Sequence, residues 1–378
     1  MDLEIIGGAV LGSGGLEDRA VRTEGGLIAE EAGGVRRRFD ASGLLVLPGI
    51  VDLHGDAFER QVQPRPGVDF PMDVALTETE GQLLSNGITT AFHGVTLSWE
   101  PGLRSAAAFS ALIAQLAAHK PRAVCDMRVH LRWEAFNLEA LDLALGAIAE
   151  GQVHLLAFND HTPGILRKMA DPAACAKYSD RAGIKVEAFR ALADRIAAWA
   201  PEVPAALDRM AEAARAAGIP MASHDDASVQ DRASFRAMGA RISDFPMNAE
   251  VARAATEAGD WVLMGSPNVV RGGSHMGWVS AASMVEDGLC RILTSDYFYP
   301  ALLRAGFAFG GRDGLAKAWP LISANPAAAA GLADRGRIAS GLRADLVLVS
   351  DDPAPRVVAT IAGGRIAHLT AEGAARLH

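Results

Sequence analysis

Leu47-Pro-Gly-Ile-Val-Asp-Leu-His-Gly-Asp-Ala-Phe-Glu59 is the stretch that decides the fold, because an apolar run stops there in a polar cluster. Ile50, Val51 and Leu53 suit a buried parallel strand, and His54, Asp56 and Glu59 follow at once. One imidazole and two carboxylates at the C-terminal end of a strand is how an active site looks in a parallel-sheet protein. Residues two apart in an extended segment point the same way, so His54 and Asp56 are expected to converge on one ion. A divalent metal is the simplest reason to place them so.

Downstream the chain alternates short apolar runs with Ala-rich helical segments, the signature of repeated βα units. The expected strands are Gly49–Leu53, Thr89–His93, Asp126–His130, Val153–Phe158, Pro220–Ser223, Ala240–Ile242, Trp261–Met264 and Arg291–Thr294. This predicts an α/β chain with a closed (β/α)8 TIM-like barrel. No Gly-rich dinucleotide fingerprint argues for an open doubly wound sheet instead. The barrel reading can be tested within the sequence, since polar residues should gather after each strand. They do: His54 and Asp56; His93; His130, Arg132 and Glu134; Asn159, Asp160 and His161; His224, Asp225 and Asp226; Asp244; Asn268, Arg271 and His275; Ser295 and Asp296.

Both chain ends read differently, as short strands with Gly-rich turns. Leu3–Ile6, Ala9–Leu11, Gly26–Ala29 and Leu44–Leu47 stand at one end; Gly336–Ala339, Ala344–Val349, Val357–Ile361 and Gly363–Ala367 stand at the other. Neither end has enough residues for a stable sheet domain alone, so the two are expected to pair into one small β-sandwich domain, residues 1–48 with 334–378. Residues 49–333 are then the barrel. With 378 residues, half of them hydrophobic, the chain has ample material for such a core. A net charge of -9 argues against nucleic acid or an anionic membrane as partner, and a homo-oligomer stays open. Cys125, Cys175 and Cys290 are widely spaced, and no leader-like or 18-residue apolar segment stands out, which together predict a cytoplasmic protein.

Imidazoles with carboxylates suit zinc first, with manganese or iron as alternatives, in one or two ions. The expected ligands are His54, Asp56, Glu134, His161, His224 and Asp296, with Asp296, His224 and Glu134 as the catalytic set. Asp296 would also take a proton from the attacking water, making metal-assisted hydrolysis the leading reaction class. The other polar residues suggest an anionic, phosphorylated substrate. Pro64-Arg-Pro-Gly67 holds Arg65 in a stiff loop, and Val270-Arg-Gly-Gly-Ser-His275 offers Arg271, His275 and free backbone N–H groups. Arg128, Arg132, Asn159 and Lys168 complete the expected substrate contacts.

Pro48-Gly-Ile-Val-Asp-Leu-His54, Ala344-Asp-Leu-Val and the ligand layout resemble the amidohydrolase superfamily across nearly the whole chain. More narrowly, His54-Gly-Asp-Ala-Phe-Glu-Arg60, Arg128-Val-His-Leu-Arg-Trp-Glu134, Phe158-Asn-Asp-His-Thr-Pro163, Ser223-His-Asp-Asp226, Gly265–His275 and Thr294-Ser-Asp-Tyr297 resemble the α-D-ribose 1-methylphosphonate 5-triphosphate diphosphatases of the carbon-phosphorus lyase pathway. That resemblance implies a sugar-like triphosphate substrate attacked by water at its α-phosphorus, with pyrophosphate released. It implies Glu134 in the bridging position that a carboxylated lysine fills in many relatives, and Arg65, Arg271 and His275 on the pyrophosphate. The chain departs from the pattern at Asp56, where many superfamily members carry a second histidine, and after the sixth strand, where Ile242-Ser-Asp-Phe-Pro246 has none. It also departs at Gly55-Asp-Ala57, where the diphosphatases typically read Thr-Asp-Asn.

Two other functions remain at this stage. Hydrolysis or deamination of a C–N bond, as on a cyclic amide, would not need the Arg-bearing loops. A non-catalytic barrel in a complex predicts missing ligands at strand ends, which this chain does not have.

Overall fold

The computed structural model describes residues 2–30, 37–65, 67–273 and 279–378. Eight parallel strands form its centre: β1 (Ile50–Gly55), β2 (Ile88–Leu97), β3 (Asp126–Glu134), β4 (Leu155–Asn159), β5 (Met221–His224), β6 (Ile242–Asp244), β7 (Trp261–Gly265) and β8 (Ile292–Thr294). They pair in sequence order, and a parallel bridge between Gly55 and Asp296 joins β8 back to β1. The result is a (β/α)8 barrel. Val51, Leu53, Phe92, Leu155, Ala157, Ala222, Ile242, Leu263 and Ile292 fill its interior.

Helices cover the outside, and their buried alanines, among them Ala144, Ala206, Ala211, Ala252 and Ala255, let them pack close to the strands. Polar side chains start several of these helices by accepting from otherwise unpaired backbone N–H groups. Ser105 accepts from Ala108, Asn248 accepts from Val251, and Ser228 forms a reciprocal box with Asp231. Between β4 and the helix Val203–Ala216 the chain inserts three extra helices, Thr162–Lys168, Pro172–Ala182 and Val186–Ala197.

The chain ends build two further sheets. One has four strands in the order Leu27–Ala29, Val21–Glu24, Leu3–Ile6 and Arg37–Asp40. The other has six, Arg365–Leu369, Arg356–Ala362, Leu346–Ser350, Leu45–Pro48, Ala9–Gly12 and Gly15–Asp18, so both ends share it. Leu3, Ile5, Phe39, Val46, Leu346, Leu348, Val358 and Ile361 form the core of this small β-sandwich.

Several elements differ from their expected limits. β2 continues to Leu97 and β3 to Glu134, because the two strands stay in register through Thr96–Arg132 and Leu97–Trp133 despite their polar residues. β6 starts at Ile242, where pairing to Ala222 begins; the Ala240 amide instead donates to Phe235 at the end of the preceding helix. Gly336–Ala339 is not a strand. Gly336 takes φ +87°, and a Cβ there would sit 2.8 Å from the Ser323 carbonyl oxygen.

Candidate active site

The C-terminal rim of the barrel is stitched by the residues that follow its strands. The Asp225 amide donates to the Asp244 carbonyl, Phe245 to Leu263, and Asp296 to His54, at 2.8–3.0 Å. These same three residues are the only non-glycine residues with positive φ among those described, at +58°, +58° and +55°. Strained backbone at three strand ends on one rim marks that rim as the working face.

Imidazoles and carboxylates converge there in two groups. The potential ligand atoms of His54, His130 and Asp244 lie within 4.8 Å of one another, as do those of His161, His224 and Asp225. His54 Nδ1 is 2.8 Å from Asp244 Oδ2, and His224 Nε2 is 4.0 Å from the same oxygen, so the groups adjoin. In the second group His161 Nε2 is 3.2 Å and His224 Nδ1 3.3 Å from the two Asp225 oxygens. Arg132 stands at the junction, donating to His224 Nε2 at 2.9 Å and lying 3.8 Å from Asp56.

Asp56 is in neither group. It follows the end of β1, just past the β1–β2 register shift between Asp52 and Gly55, and lines the same cavity as His54. Asp52 stands at that irregularity within β1 and is fully buried. It accepts from the Ser295 amide at 3.0 Å, from the Ser295 and Thr294 hydroxyls, and from the His54 amide. The glycine at 55 follows directly, since a Cβ there would meet Asp52 Oδ2 at 2.8 Å and Ser295 Oγ at 2.9 Å.

The electrostatics are those of accumulated, weakly balanced negative charge. Burial, and after it the neighbouring Asp56, push the Asp296 carboxyl up to about 8. Burial raises Asp244 as well and drives His54 down to about 3. Burial opposes protonation of His161, but hydrogen bonds to Asp225 and Glu134 outweigh it and hold this imidazole up to about 9. His130 Nε2 and Asp244 Oδ1 are buried without a hydrogen-bond partner. Orphaned donor atoms beside carboxylates that resist ionising fit a site made for a cation.

Two cavities open onto this centre and share Arg132, His224 and Asp225. The larger, about 620 Å³, is lined by Glu134, Asp160, His161, Arg104, Arg167, Lys168 and Arg181 among others. The smaller, about 290 Å³, is lined by His54, Asp56, Asp296, Asn268, Arg271, Phe245, Met264 and Tyr297 among others. Thus the six expected ligands and Arg132, Lys168 and Arg271 reach one cleft. Glu134 is held by the His161 and Thr162 amides and the Thr162 hydroxyl, all on Oε1, leaving Oε2 3.3 Å from His161 Nδ1.

Three expected substrate contacts are not brought there. Arg65 is exposed and lines neither cavity. Arg128 sits near the start of β3, roughly 20 Å of strand before Glu134, and pairs with Asp126 at 2.9 Å. Asn159 is buried at the end of β4 with neither amide atom hydrogen-bonded, and lines neither cavity. His275 lies outside the described residues.

Comparison with known proteins places this site in context. No family model matches the chain. It is 33% identical over 329 residues to an α-D-ribose 1-methylphosphonate 5-triphosphate diphosphatase of Escherichia coli K12, covering 85% of this chain and 87% of that enzyme. The chain belongs to the amidohydrolase superfamily, in the family of that diphosphatase. Solved structures share the amidohydrolase fold: an amidohydrolase (TM-score 0.63, 12% identity, 98% of this chain and 100% of that one), and molinate hydrolase (0.63, 16%, 97% and 94%). A third is dihydropyrimidinase of Brevibacillus agri (0.58, 14%, 97% and 95%).

Amidohydrolases usually bind divalent metals, and the two groups at this rim are candidates to do so here. His130, Asp225 and Asp244 were not among the ligands expected from sequence, although each stood in the polar runs at strand ends. Asp244 ends β6, the very strand at which this amidohydrolase lacks a histidine. Its position was the signal.

Proposed function

We propose that this chain is a metal-dependent hydrolase of acid anhydrides that cleaves the 5-triphosphate of a ribose 1-methylphosphonate and releases pyrophosphate, in phosphonate catabolism. The observation that carries this reading is the meeting, in one cleft, of two imidazole–carboxylate groups with a wall of guanidinium and ammonium groups. The named activity of the 33% identical relative supplies the substrate class. One or two divalent ions, zinc first among them, would be held by His54, His130 and Asp244 and by His161, His224 and Asp225, with Asp56, Glu134 and Asp296 beside them. Such an ion supplies Lewis acidity to water and to phosphate oxygens.

This chain's own groups do the rest. Asp296, at the shared end of β8 and β1, would be ionised when a divalent ion offsets the neighbouring negative charge, and then accepts a proton from water as the water oxygen bonds to the α-phosphorus. The bond from that phosphorus to the bridging oxygen breaks, and its electron pair leaves on pyrophosphate. Arg132, held between His224 and Asp56, faces the charge that develops on the phosphoryl oxygens. Residues 1–48 with 334–378 form a supporting domain, and 49–333 carry the chemistry. We place the enzyme in the cytoplasm.

The test is direct. Metal-loaded protein is given ribose 1-methylphosphonate 5-triphosphate, simple nucleoside triphosphates and a panel of cyclic amides, and both pyrophosphate and ring opening are followed. Pyrophosphate from the ribose triphosphate is the expected result. Ring opening or ammonia release with no pyrophosphate from any triphosphate overturns the proposal in favour of C–N hydrolysis.

A further inference from the structure

We propose that the two arms of the cleft divide the substrate by charge: the larger arm is the subsite for the departing pyrophosphate, held by Arg167 and Lys168, and the smaller arm takes the sugar phosphonate. This rests on the triphosphate reading above and assigns the orientation of that substrate. It also reverses the sequence-based assignment of Arg271, which moves from the pyrophosphate to the other end of the molecule.

Among the described residues, and beyond the shared Arg132, the larger arm is lined by four arginine and lysine side chains and the smaller by one. Arg104, Arg167, Lys168 and Arg181 line the former, and Arg271 the latter. Pyrophosphate carries several negative charges, whereas a methylphosphonate ester carries a single one; the larger arm also bears carboxylates, Glu134, Asp160 and Asp231 among them, so the match rests on the cations that no carboxylate pairs. The wall of the larger arm is also built, not incidental. Arg181 is fixed by both oxygens of the buried Glu100 and lies 5.1 Å from the Tyr178 ring centre, which sets a guanidinium in place before any ligand arrives.

Arg167 and Lys168 are adjacent in the last turn of Thr162–Lys168, the helix that begins beside His161 and Glu134. Among the described residues no carboxylate lies within 4 Å of either, although Asp160 feels the Arg167 charge. They are the cations of this wall with charge to give a ligand. The smaller arm offers what a sugar ester needs instead: Phe245, Met264 and Tyr297 for its apolar surface, and Asn268 with Arg271 for its hydroxyl and phosphonate oxygens. Arg271 Nη1 is already oriented by the Tyr297 hydroxyl at 3.2 Å.

The assignment is tested by binding, apart from turnover. Inorganic pyrophosphate and ribose 1-methylphosphonate 5-phosphate are titrated calorimetrically into manganese-loaded wild type, the double variant Arg167→Ala/Lys168→Ala, and Arg271→Ala. Losing two charge-assisted contacts should weaken pyrophosphate about tenfold or more in the double variant. Arg271→Ala should keep pyrophosphate within about twofold and weaken the sugar phosphonate about tenfold. The reverse pattern, equal losses in both variants, or no pyrophosphate binding by wild type overturns the assignment. Pyrophosphate lost only in the double variant, with no hydrolysis of any triphosphate by wild type, keeps the subsite and sinks the function instead.

Discussion

Replacing Asp52 with Ala should loosen the seam of the barrel and, through it, the candidate active site. The carboxylate is fully buried and joins β1 to the residues that end β8. Two of its donors have alternatives: the Thr294 hydroxyl also reaches the His54 carbonyl, and the His54 amide is also held by Thr294 Oγ1 at 2.8 Å. The Ser295 amide and hydroxyl do not, so Asp52→Ala leaves two buried donors unpaired at about 1–3 kcal/mol each. Removing a buried carboxyl that burial already disfavours returns part of this, leaving a net loss of about 3 kcal/mol. By the usual entropy of unfolding per residue, that is a fall in Tm of roughly 4 °C for a chain of this length. The damage should reach the site, because the Asp296 amide bonds the His54 carbonyl and the Asp56 amide bonds the Asp296 carbonyl across this seam. Scanning calorimetry with metal analysis tests it, with Asp52→Asn expected to lose only about 1 kcal/mol, since it keeps an acceptor for the Ser295 amide. A Tm within a degree of wild type at full metal content for Asp52→Ala would refute the reasoning.

Other substitutions probe the chemistry itself. Asp296→Asn should cost at least ~100-fold in kcat if Asp296 is the base, measured by pyrophosphate release at saturating metal; a near-normal rate removes it from that role. Arg132→Met should lower kcat/KM by about 100-fold or more while leaving the far-ultraviolet dichroism unchanged. Chelation should abolish hydrolysis and lower the unfolding midpoint, and adding back zinc, manganese or iron should restore both; bound metal in about hundredfold excess over its Kd stabilises by about 2.7 kcal/mol. His93 is buried against Phe58 with neither nitrogen partnered, and burial depresses it from 6.5 to about 4. The unfolded chain therefore takes up a proton between pH 6.5 and 4 that the folded chain refuses, so His93 makes the fold lose up to roughly 3 kcal/mol as pH falls through that window. Chemical denaturation at several pH values should show a shallower acid loss for His93→Leu than for wild type.

The barrel is legible in the sequence because its signal repeats locally. Each strand is a few apolar residues followed at once by polar ones, and that transition needs no knowledge of neighbours. The β-sandwich of the chain ends is legible for a related reason: strands such as Leu3–Ile6 and Val357–Ile361 are too short to stand alone. Gly336–Ala339 has the same apolar texture, but φ +87° at Gly336 and the close Ser323 carbonyl make it a loop. Texture records hydrophobicity, and only the surrounding chain decides whether hydrophobic residues pair.

The site divides along the same line. Which residues gather at the rim could be read from their place after a strand, but which of them meet depends on register between strands far apart in sequence. Arg128 and Arg132 differ by four positions in one strand, yet one pairs with Asp126 near its start and the other touches His224 near its end. Asp244 looked like a missing histidine until β6 and β1 set it 2.8 Å from His54. Gly55 and Asp52 carry the point furthest. The departure from the diphosphatase pattern at 55 is, in the fold, the space that Asp52 and Ser295 need to lock the two strands bearing His54 and Asp296. A departure from a family pattern beside a catalytic motif therefore belongs first to the packing around that motif, and the substrate question moves to the cavity walls, where Arg167, Lys168 and Arg271 stand.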